Sequence, residues 1–521
     1  MTSVGHFSLA SQTLNNPSVT SFFMTMVGDK PGFTPQEFQE VWNERGIAER
    51  HPRFHYTVSK SSQGYFEPEL NQDHVKETLF PFLYRKDIQS RIEALQTEPL
   101  DVYDKTWEVS IAPSGRPGTS GGSPASMTCT ENDNRPEYLK EEQVESVVFF
   151  RGHHALGDGV SLVTAVMDLC DEAEEFRELI KRELKKRFGR RKGVSLMEQW
   201  LRQLKRLVQF WIGVLDAIWY QGKLCVGAFF EPNALKQLHQ WALEDHEVVG
   251  DEPATTTTPA RSISFGMVAP VEEVKWVAQT LIGRKATVND VFVSCVSAAI
   301  ARQLAFHRQR LEVIADVTAE SKNEAVRTLH TKRRELVHMK EMNIVMPVHL
   351  YGGVMLPGQS MGNRIGAMVA RVPGEVETGC VDRLAQVHDT LYDLKQTPTP
   401  LLSYMLVRLT SAISGAFLPN RMTQFLFSKA NANAVAVVTN MRGPPKPLHL
   451  KGRLITSIHG FVPLPPGIPI GIVVSSYAGN VKLSLSAEPW AVPDGDRFLV
   501  YVLEEYQSLL RRAKSKSLSS S

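Results

Sequence analysis

The sequence predicts an α/β protein made of two domains. Its 521 residues exceed the size at which a single hydrophobic core usually stops growing. Strand-like and helix-periodic segments alternate in both halves of the chain. Between the halves, residues 249–262 (VGDEPATTTTPARS) are rich in Pro and Thr and lack apolar periodicity, which is typical of a linker. We therefore expect an N-terminal domain over 1–248 and a C-terminal domain over 263–510.

Composition restricts the class of protein further. Hydrophobic residues make up 42% and charged residues 22% of the chain, as in ordinary globular proteins. The formal net charge of +2 gives no overall electrostatic attraction for nucleic acid. The five cysteines are far apart and form no CxxC pair, which argues against a thiolate zinc site and against a disulfide framework. The first residues show no charged and apolar signal-peptide pattern, so we do not expect secretion.

Several local elements follow from periodicity. Apolar spacing predicts helices over 36–50, 161–186, 288–308 and 318–340. Strand-like runs are WEVSIA at 107–112, VESVVFFR at 144–151, NIVMPV, NRIGAMVARV, AVAVVTN, PIGIVVSSY and VKLSLSA. The last two flank Ala478-Gly479-Asn480 and predict a hairpin. Both halves therefore mix strands with helices.

Two segments are predicted to lie outside the folded cores. Residues 113–142 are rich in Ser, Gly, Pro and charge and predict a mobile insertion between two strands. They contain a GxSxG match at 118–122, but a nucleophile elbow needs a strand before it and a helix after it. The basic, Ser-rich tail at 511–521 is expected to be disordered.

The segment VVFFRGHHALGDGVSL contains the strongest candidates for catalytic residues. A β-rich run ends at His153 and His154, a turn carries Asp158, and Gly159 lets the chain enter a helix. Side chains of successive strand residues point to opposite faces, so both histidines are not expected to reach one atom. One can act in the chemistry while the other is held in the wall of the site. Asp158 is near enough to orient a histidine ring or to pair with a buried cation.

On these residues alone, three interpretations remain open. The first is a buried structural histidine pair beside an aspartate that caps a helix. The second is a metal site, which lacks a third ligand cluster such as HExxH. The third is a general-base histidine for acyl transfer, since the ordinary pKa of histidine lies near neutrality.

The motif and four further segments resemble a known family. HHALGDG resembles the HHxxxDG motif of acyl-CoA-dependent transferases and condensation domains in the chloramphenicol-acetyltransferase-like superfamily. Four further segments resemble, in order, the wax ester synthase/diacylglycerol acyltransferase (WS/DGAT) family. They are EPLDVYDKTWEVSIA, TVNDVFVSCVSAAIARQL, MPVHLYGG with MGNRIGAMVARVP, and VVTNMRGPPKPLHLKGR. The order and approximate spacing hold from about residue 50 to 510. The resemblance implies two domains with mixed sheets flanked by helices, and an active site in a tunnel between them.

The resemblance also implies roles for single residues. His154 would be the general base that deprotonates the acceptor hydroxyl, with His153 orienting the site. Asp158 would be mainly structural, and Gly159 would be required by the turn. Asn289 is a candidate oxyanion donor, whereas Asp290, with Thr287, reads as a variant capping box. Arg364 is expected to pair with Asp158 across the domain boundary.

The implied reaction moves a fatty acyl group from acyl-CoA to a long-chain alcohol or diacylglycerol, without a covalent acyl-enzyme. Acyl-CoA would be a cosubstrate, with no bound cofactor and no metal. A condensation-type transferase that uses a carrier protein is the enzymatic alternative. A lipid-surface binding protein without turnover is the non-enzymatic alternative.

The segment 187–230 departs from the family pattern by being unusually basic and apolar. An apolar face there comprises Trp200, Leu204, Leu207, Val208, Trp211, Leu215, Ile218 and Trp219, preceded by Arg187, Arg190, Arg191 and Lys192. Arg202, Lys205, Arg206 and Asp216 interrupt the segment, which disfavours a transmembrane span. A helix packed in the core remains an alternative. An interfacial helix fits better and predicts peripheral attachment to the endoplasmic reticulum or to lipid droplets.

Overall fold

A computed structural model gives the architecture of the chain. It describes residues 1–12, 16–28, 32–61, 65–69, 73–78, 85–113, 146–188, 208, 211–220, 222–223, 233, 235–236, 261–318, 340–353, 355, 359–417, 429 and 431–520. Most of the predicted insertion, most of the predicted linker and residues 319–339 of the predicted helix over 318–340 lie outside these ranges. So do most residues of the segment 187–230.

Strands and helices occur in both halves, as predicted. The strands are β1 (Val19–Val27), β2 (Tyr56–Val58), β3 (Phe66–Pro68), β4 (Val75–Glu77), β5 (Trp107–Pro113), β6 (Ser146–His153), β7 (Ser262–Pro270), β8 (Glu341–His349), β9 (Ile365–Pro373), β10 (Ala434–Arg442), β11 (Leu448–Leu450), β12 (Arg453–Phe461), β13 (Ile470–Tyr477) and β14 (Asn480–Ala487). The helices are α1 (Ser3–Ser11), α2 (Pro35–Glu44), α3 (Ile47–Arg50), α4 (Arg85–Thr97), α5 (Gly159–Leu169), α6 (Ala173–Phe188), α7 (211–220), α8 (Val271–Leu281), α9 (Val288–Thr318), α10 (Cys380–Gln396), α11 (Thr399–Phe417) and α12 (Gly495–Ser520). No helix within the described ranges is long and apolar enough to cross a bilayer.

The N-terminal sheet has six strands in the order β11-β12-β1-β6-β5-β4. Its pairs are antiparallel except for β4 and β5. Aromatic and aliphatic side chains of the sheet pack against α2 and α5, and the rings of Trp42 and Trp107 stack with centroids 4.7 Å apart. This packing fixes the end of β6, from which the histidine motif emerges.

The predicted domain boundary needs a correction. Strands β11 and β12 belong by sequence to the C-terminal domain predicted over 263–510, yet they extend the N-terminal sheet beside β1. Leu448, Leu450 and Ile455 are buried in the core of that sheet. The reason is that periodicity identifies a strand but does not identify its partner. A segment of the predicted C-terminal domain therefore completes the N-terminal sheet.

The C-terminal sheet has six strands in the order β7-β14-β13-β10-β8-β9. It is mixed, because β10 pairs in parallel with both β13 and β8 while the other pairs are antiparallel. The predicted hairpin between β13 and β14 is confirmed, with Tyr477 opposite Asn480. The two sheets meet where Nζ of Lys482 on β14 donates to Oγ of Ser457 on β12 at 2.5 Å. The predicted α/β class with mixed sheets flanked by helices is confirmed.

The prediction of a disordered tail was wrong. Helix α12 continues from Gly495 to Ser520. Ala513 is fully buried against the core of the C-terminal sheet, and Nζ of Lys516 donates to the carbonyl of Leu281 at 3.2 Å. Residues 514–519, which carry the basic, Ser-rich composition, are exposed, while Leu509, Leu510 and Ala513 pack the preceding part of the helix against the core.

Candidate active site

The histidine motif connects strand β6 of the N-terminal sheet to helix α5. His153 is the last residue of β6, a turn follows, and α5 begins at Gly159. The Asp158 carboxylate caps α5 by accepting from the main-chain N–H of Ser161 at 2.9 Å. Aspartate is among the preferred residues at this position because its side chain satisfies an otherwise unpaired amide.

Main-chain hydrogen bonds attach the turn to both domains. The N–H of His154 donates to the carbonyl of Ser18 at 2.8 Å. The carbonyl of His154 accepts from Nδ2 of Asn363 at 2.8 Å, and the N–H of Asp158 donates to the carbonyl of Gly362 at 3.2 Å. The segment 362–364 precedes β9, so the second sheet contributes to positioning His154.

His153 is buried, with 1% of its surface exposed. Its Nδ1 accepts from the N–H of Ala155 at 3.1 Å, and therefore its Nε2 carries the proton that it donates to Oε1 of Gln12 at 3.0 Å. Burial, with a smaller effect of His154, lowers the pKa of His153 to about 3. The ring is therefore neutral near pH 7 and holds the turn by two hydrogen bonds.

His154 has different surroundings. Burial lowers the pKa of His154, and the Asp158 carboxylate and the residue's own main-chain carbonyl offset part of that shift. Its Nδ1 is buried and has no partner in hydrogen-bond geometry among the described residues. The imidazole is thus neutral near pH 7, which is the protonation state that a general base requires.

The predicted ion pair between Arg364 and Asp158 is wrong. The main-chain N–H of Arg364 donates to Oδ2 of Asp158 at 2.9 Å, whereas its guanidinium donates to the carbonyl of Ser360 at 3.0 Å. Arg364 lies directly before β9, beside the turn, and there its main-chain N–H rather than its side chain contacts the carboxylate. Asp158 therefore joins the domains through an amide hydrogen bond.

A third histidine faces the same carboxylate. Nδ1 of His349 accepts from the N–H groups of Tyr351 and Gly353, each at 3.3 Å, so its Nε2 carries the proton. That nitrogen lies 3.8 Å from Oδ2 of Asp158, beyond hydrogen-bond distance. Burial lowers the pKa of His349, and the charge of Asp158 opposes that shift.

Gly159 lies at a close approach to the second sheet. A Cβ atom at this position would be 2.7 Å from Sδ of Met441 on β10. A methyl group there would displace the Met441 side chain from the beginning of α5. The tight contact gives a packing reason for glycine.

Asn289 contacts strand β10. Its Oδ1 accepts from Nδ2 of Asn440 on β10 at 3.5 Å. Asp290 behaves as the capping box predicts, since its Oδ2 accepts from the N–H of Thr287 at 2.9 Å. Its carboxylate also contacts His388 and Lys395. The contacts of Asp290 are structural, while the side-chain oxygen of Asn289 accepts from the amide of Asn440.

Gln12, Arg53 and His349 were not identified from the sequence. Gln12 follows the helix α1, which the sequence analysis did not predict. Nη1 of Arg53 donates to the carbonyls of Ala155 and Leu156. His349 lies within MPVHLYGG, but the pattern gave no reason to separate it from its neighbours. In the described part of the chain, no group of three His, Cys, Asp or Glu side chains is arranged to hold a metal ion.

Comparison with known proteins shows which family this chain resembles. Residues 361–510 match the model of the WS/DGAT C-terminal domain. The predicted resemblance to the WS/DGAT family is confirmed. Wax ester synthase/diacylglycerol acyltransferase 9 of Arabidopsis thaliana is 22% identical over 466 residues, which cover 85% of this chain and 83% of the relative.

Two solved structures show the same fold. The wax ester synthase/diacylglycerol acyltransferase from Marinobacter aquaeolei VT8 is 14% identical, with a TM-score of 0.53 and 98% of each chain covered. The trichothecene 15-O-acetyltransferase from Fusarium sporotrichioides is 9% identical, with a TM-score of 0.54 and coverage of 97% of this chain and 94% of that one. These likenesses show the fold alone, in which helices flank two sheets.

Proposed function

We propose that this chain transfers a fatty acyl group from acyl-CoA to a long-chain alcohol, to diacylglycerol, or to both, with His154 as the general base. The observation that carries the proposal is the turn that holds a neutral His154 where two acyltransferase-type sheets meet. The WS/DGAT resemblance supports the substrate classes. The alternative of a purely structural histidine pair accounts for His153 but gives no reason for a second neutral ring beside it.

The proposed reaction proceeds without a covalent acyl-enzyme. His154 accepts the proton of the acceptor hydroxyl while the hydroxyl oxygen attacks the thioester carbonyl. The tetrahedral oxyanion collapses, the C–S bond breaks, and the imidazolium returns the proton to the departing thiolate of coenzyme A. General-base catalysis of this kind contributes about 100- to 10,000-fold. Acyl-CoA is a cosubstrate, and the reaction needs no bound cofactor or metal.

The neighbouring residues have distinct proposed roles. His153 orients the turn through Gln12 and Ala155. The negative charge of Asp158 favours the imidazolium that forms at His154, while its main role is to cap α5 and join the domains. The amide of Asn289 is the proposed donor to the oxyanion, a type of interaction whose loss costs about 100- to 1,000-fold in a serine protease.

A substrate panel tests this function. Labelled acyl-CoA is offered with a series of alcohols and with diacylglycerol, and the products are separated by chromatography, with His154→Ala protein as the control. We expect wax esters or triacylglycerol from the native chain and a loss of at least about 100-fold in the variant. Turnover only with acyl groups on a carrier protein would favour the condensation-type reaction. An inactive but lipid-binding chain would favour the non-enzymatic alternative.

We also propose that the protein attaches to a lipid surface from the cytoplasmic side, at the endoplasmic reticulum or at lipid droplets. In α7, Trp211, Leu215, Ile218 and Trp219 are between 59% and 79% exposed. Val214 and Ala217, on the other side of the helix, are buried. Tryptophan settles at the headgroup level of a bilayer, and an apolar helix face of this kind lies in the interface. Attachment there would bring the site to water-insoluble acceptors.

Helix α11, which begins beside α7, also exposes apolar residues. A Cβ atom on Gly213 of α7 would be 2.9 Å from Cδ of Pro398, directly before α11. Met405, Leu406 and Leu409 of α11 are between 54% and 59% exposed. Two neighbouring helices therefore present apolar residues to solvent, which favours a lipid surface over isolated exposed side chains.

A further inference from the structure

The segment 153–158, which links β6 to α5, is called the histidine turn. Three of its successive carbonyls accept hydrogen bonds from side chains of other segments. The carbonyl of His154 is held by Asn363 of the second domain. Nη1 of Arg53 holds the next two, those of Ala155 at 3.3 Å and Leu156 at 3.0 Å. One guanidinium thus fixes two adjacent peptide units immediately after the proposed base.

Arg53 is itself held in place. It lies in the short 3₁₀ turn Pro52–His55, and its Cζ lies 5.4 Å from the centroid of the Phe66 ring. Burial and the positive charge of Arg364 lower the pKa of Arg53 to about 10, with Asp158 opposing the shift. The side chain therefore remains a cation near pH 7, and its hydrogen bonds to the carbonyls are charge-assisted.

The guanidinium also lies against the second domain. A Cβ atom on Gly362 would be 3.4 Å from Nη2 of Arg53. Gly362 accepts through its carbonyl from the N–H of Asp158 at 3.2 Å and from Oγ of Ser161 at 2.9 Å. Arg53 therefore lies between the turn and the segment that joins it to β9.

We propose that Arg53 is a positioning residue for acyl transfer, acting through the main chain of the turn that carries His154. This inference rests on the proposed function of His154. The guanidinium touches neither ring nitrogen of His154, so its loss changes the direction of the imidazole rather than its chemistry. Misplacement of a reacting group by about 1 Å can cost about 100-fold in rate. The loss should therefore appear in kcat more than in KM.

The test compares Arg53→Ala and Arg53→Lys with Arg50→Ala, an exposed arginine at the end of α3 that serves as the matched control. We expect kcat of Arg53→Ala to fall by about 10- to 100-fold, with KM within about threefold. Arg53→Lys should recover only part of the rate, because an ammonium lacks the planar fork of donors. Guanidinium ion, added far below denaturing concentrations, should restore part of the activity of Arg53→Ala.

A second readout does not require turnover. Diethyl pyrocarbonate modifies neutral imidazoles, and mass spectrometry of the peptide containing His153 and His154 gives the rate at that site. We expect faster modification in Arg53→Ala at an unchanged melting temperature. If the native chain proves inactive with every donor, the proposed function fails, while this readout still reports whether Arg53 holds the turn.

Two outcomes would overturn the inference. The first is an Arg53→Ala protein with native kcat and a native modification rate. The second is a loss of activity that follows only the unfolded fraction, with no recovery in guanidinium. The first outcome would mean that the turn keeps its conformation without Arg53. The second would mean that Arg53 contributes only to folding.

Discussion

The histidine turn and the exposed face of α7 are opposite kinds of surface. His153 and Asp158 are each 1% exposed, and the main chain around them donates hydrogen bonds to the carbonyls of Ser18 and Gly362 and accepts one from Nδ2 of Asn363. Trp219 and Leu215 are 79% and 67% exposed on a helix whose other side is buried. Chemistry at the turn depends on fixed geometry, whereas attachment to lipid depends on apolar area. Substitutions should therefore separate the two functions.

The largest expected effect is that of removing the base. His154→Ala should lower acyl transfer by about 100-fold or more while the melting temperature stays near the native value. His153→Ala should reduce activity less and stability more, because its ring bonds Gln12 and Ala155. Steady-state rates and thermal melts distinguish the two variants. Near-normal turnover of a folded His154→Ala protein would refute the mechanism.

Asp158→Asn should affect both stability and the pH profile. The carboxylate accepts from the amides of Ser161 and Arg364, and hydrogen bonds to a charged group contribute about 1.5–3 kcal/mol. We therefore expect a loss of about 1–3 kcal/mol in the free energy of unfolding. Breaking a buried ion pair would cost more, about 3–5 kcal/mol. That larger cost does not apply here, because the Arg364 guanidinium donates to Ser360 and does not pair with Asp158.

The pH dependence of the same variant has a definite sign. Burial lowers the pKa of His154 below its ordinary value of 6.5, so the acid limb of kcat/KM for the native chain should lie below pH 6.5. Asp158 raises that pKa, and the asparagine variant should therefore move the acid limb to still lower pH. An acid limb that moves upward would contradict this electrostatic assignment.

Gly159→Ala should give a smaller effect that a second substitution relieves. Its methyl group would meet Sδ of Met441 at 2.7 Å, and overpacking of this kind costs about 1–3 kcal/mol. The Met441 side chain is flexible, which places the expected loss of stability at the lower end. Chemical denaturation of Gly159→Ala/Met441→Ala should show less than the sum of the two single effects. Additive effects would mean that the two residues do not meet.

The smallest effect on the folded enzyme is expected at the exposed helix. Trp211→Glu/Leu215→Glu should leave the melting temperature and the rate on a short, soluble acceptor near native values. It should reduce flotation with liposomes that contain anionic lipid, and flotation of the native chain should fall as salt rises. Tyr65→Glu, at another exposed aromatic residue, is the matched control. Equal flotation of the native chain and the folded double variant would argue against this attachment surface.

Much of the site could be predicted from local sequence. The order of His153, His154, Asp158 and Gly159 already predicted a strand, a turn and a capped helix, and Thr287 with Asp290 predicted the start of α9. These are short-range features, decided by strand alternation and capping. Gly159 has no positive φ, and its close approach to Met441 joins distant parts of the chain. The roles of Arg53, Gln12 and His349 could not be predicted, because each reaches the turn from a distant point in the chain.

By itself, the sequence determined the α/β class, the hairpin at Ala478 and the family resemblance, since these depend on local periodicity and ordered motifs. Only the tertiary structure decided that β11 and β12 complete the N-terminal sheet and that the last residues continue α12. It also decided that Asp158 meets the main chain of Arg364 rather than its guanidinium. In each case the deciding contact joins residues far apart in sequence, and burial selects the partner.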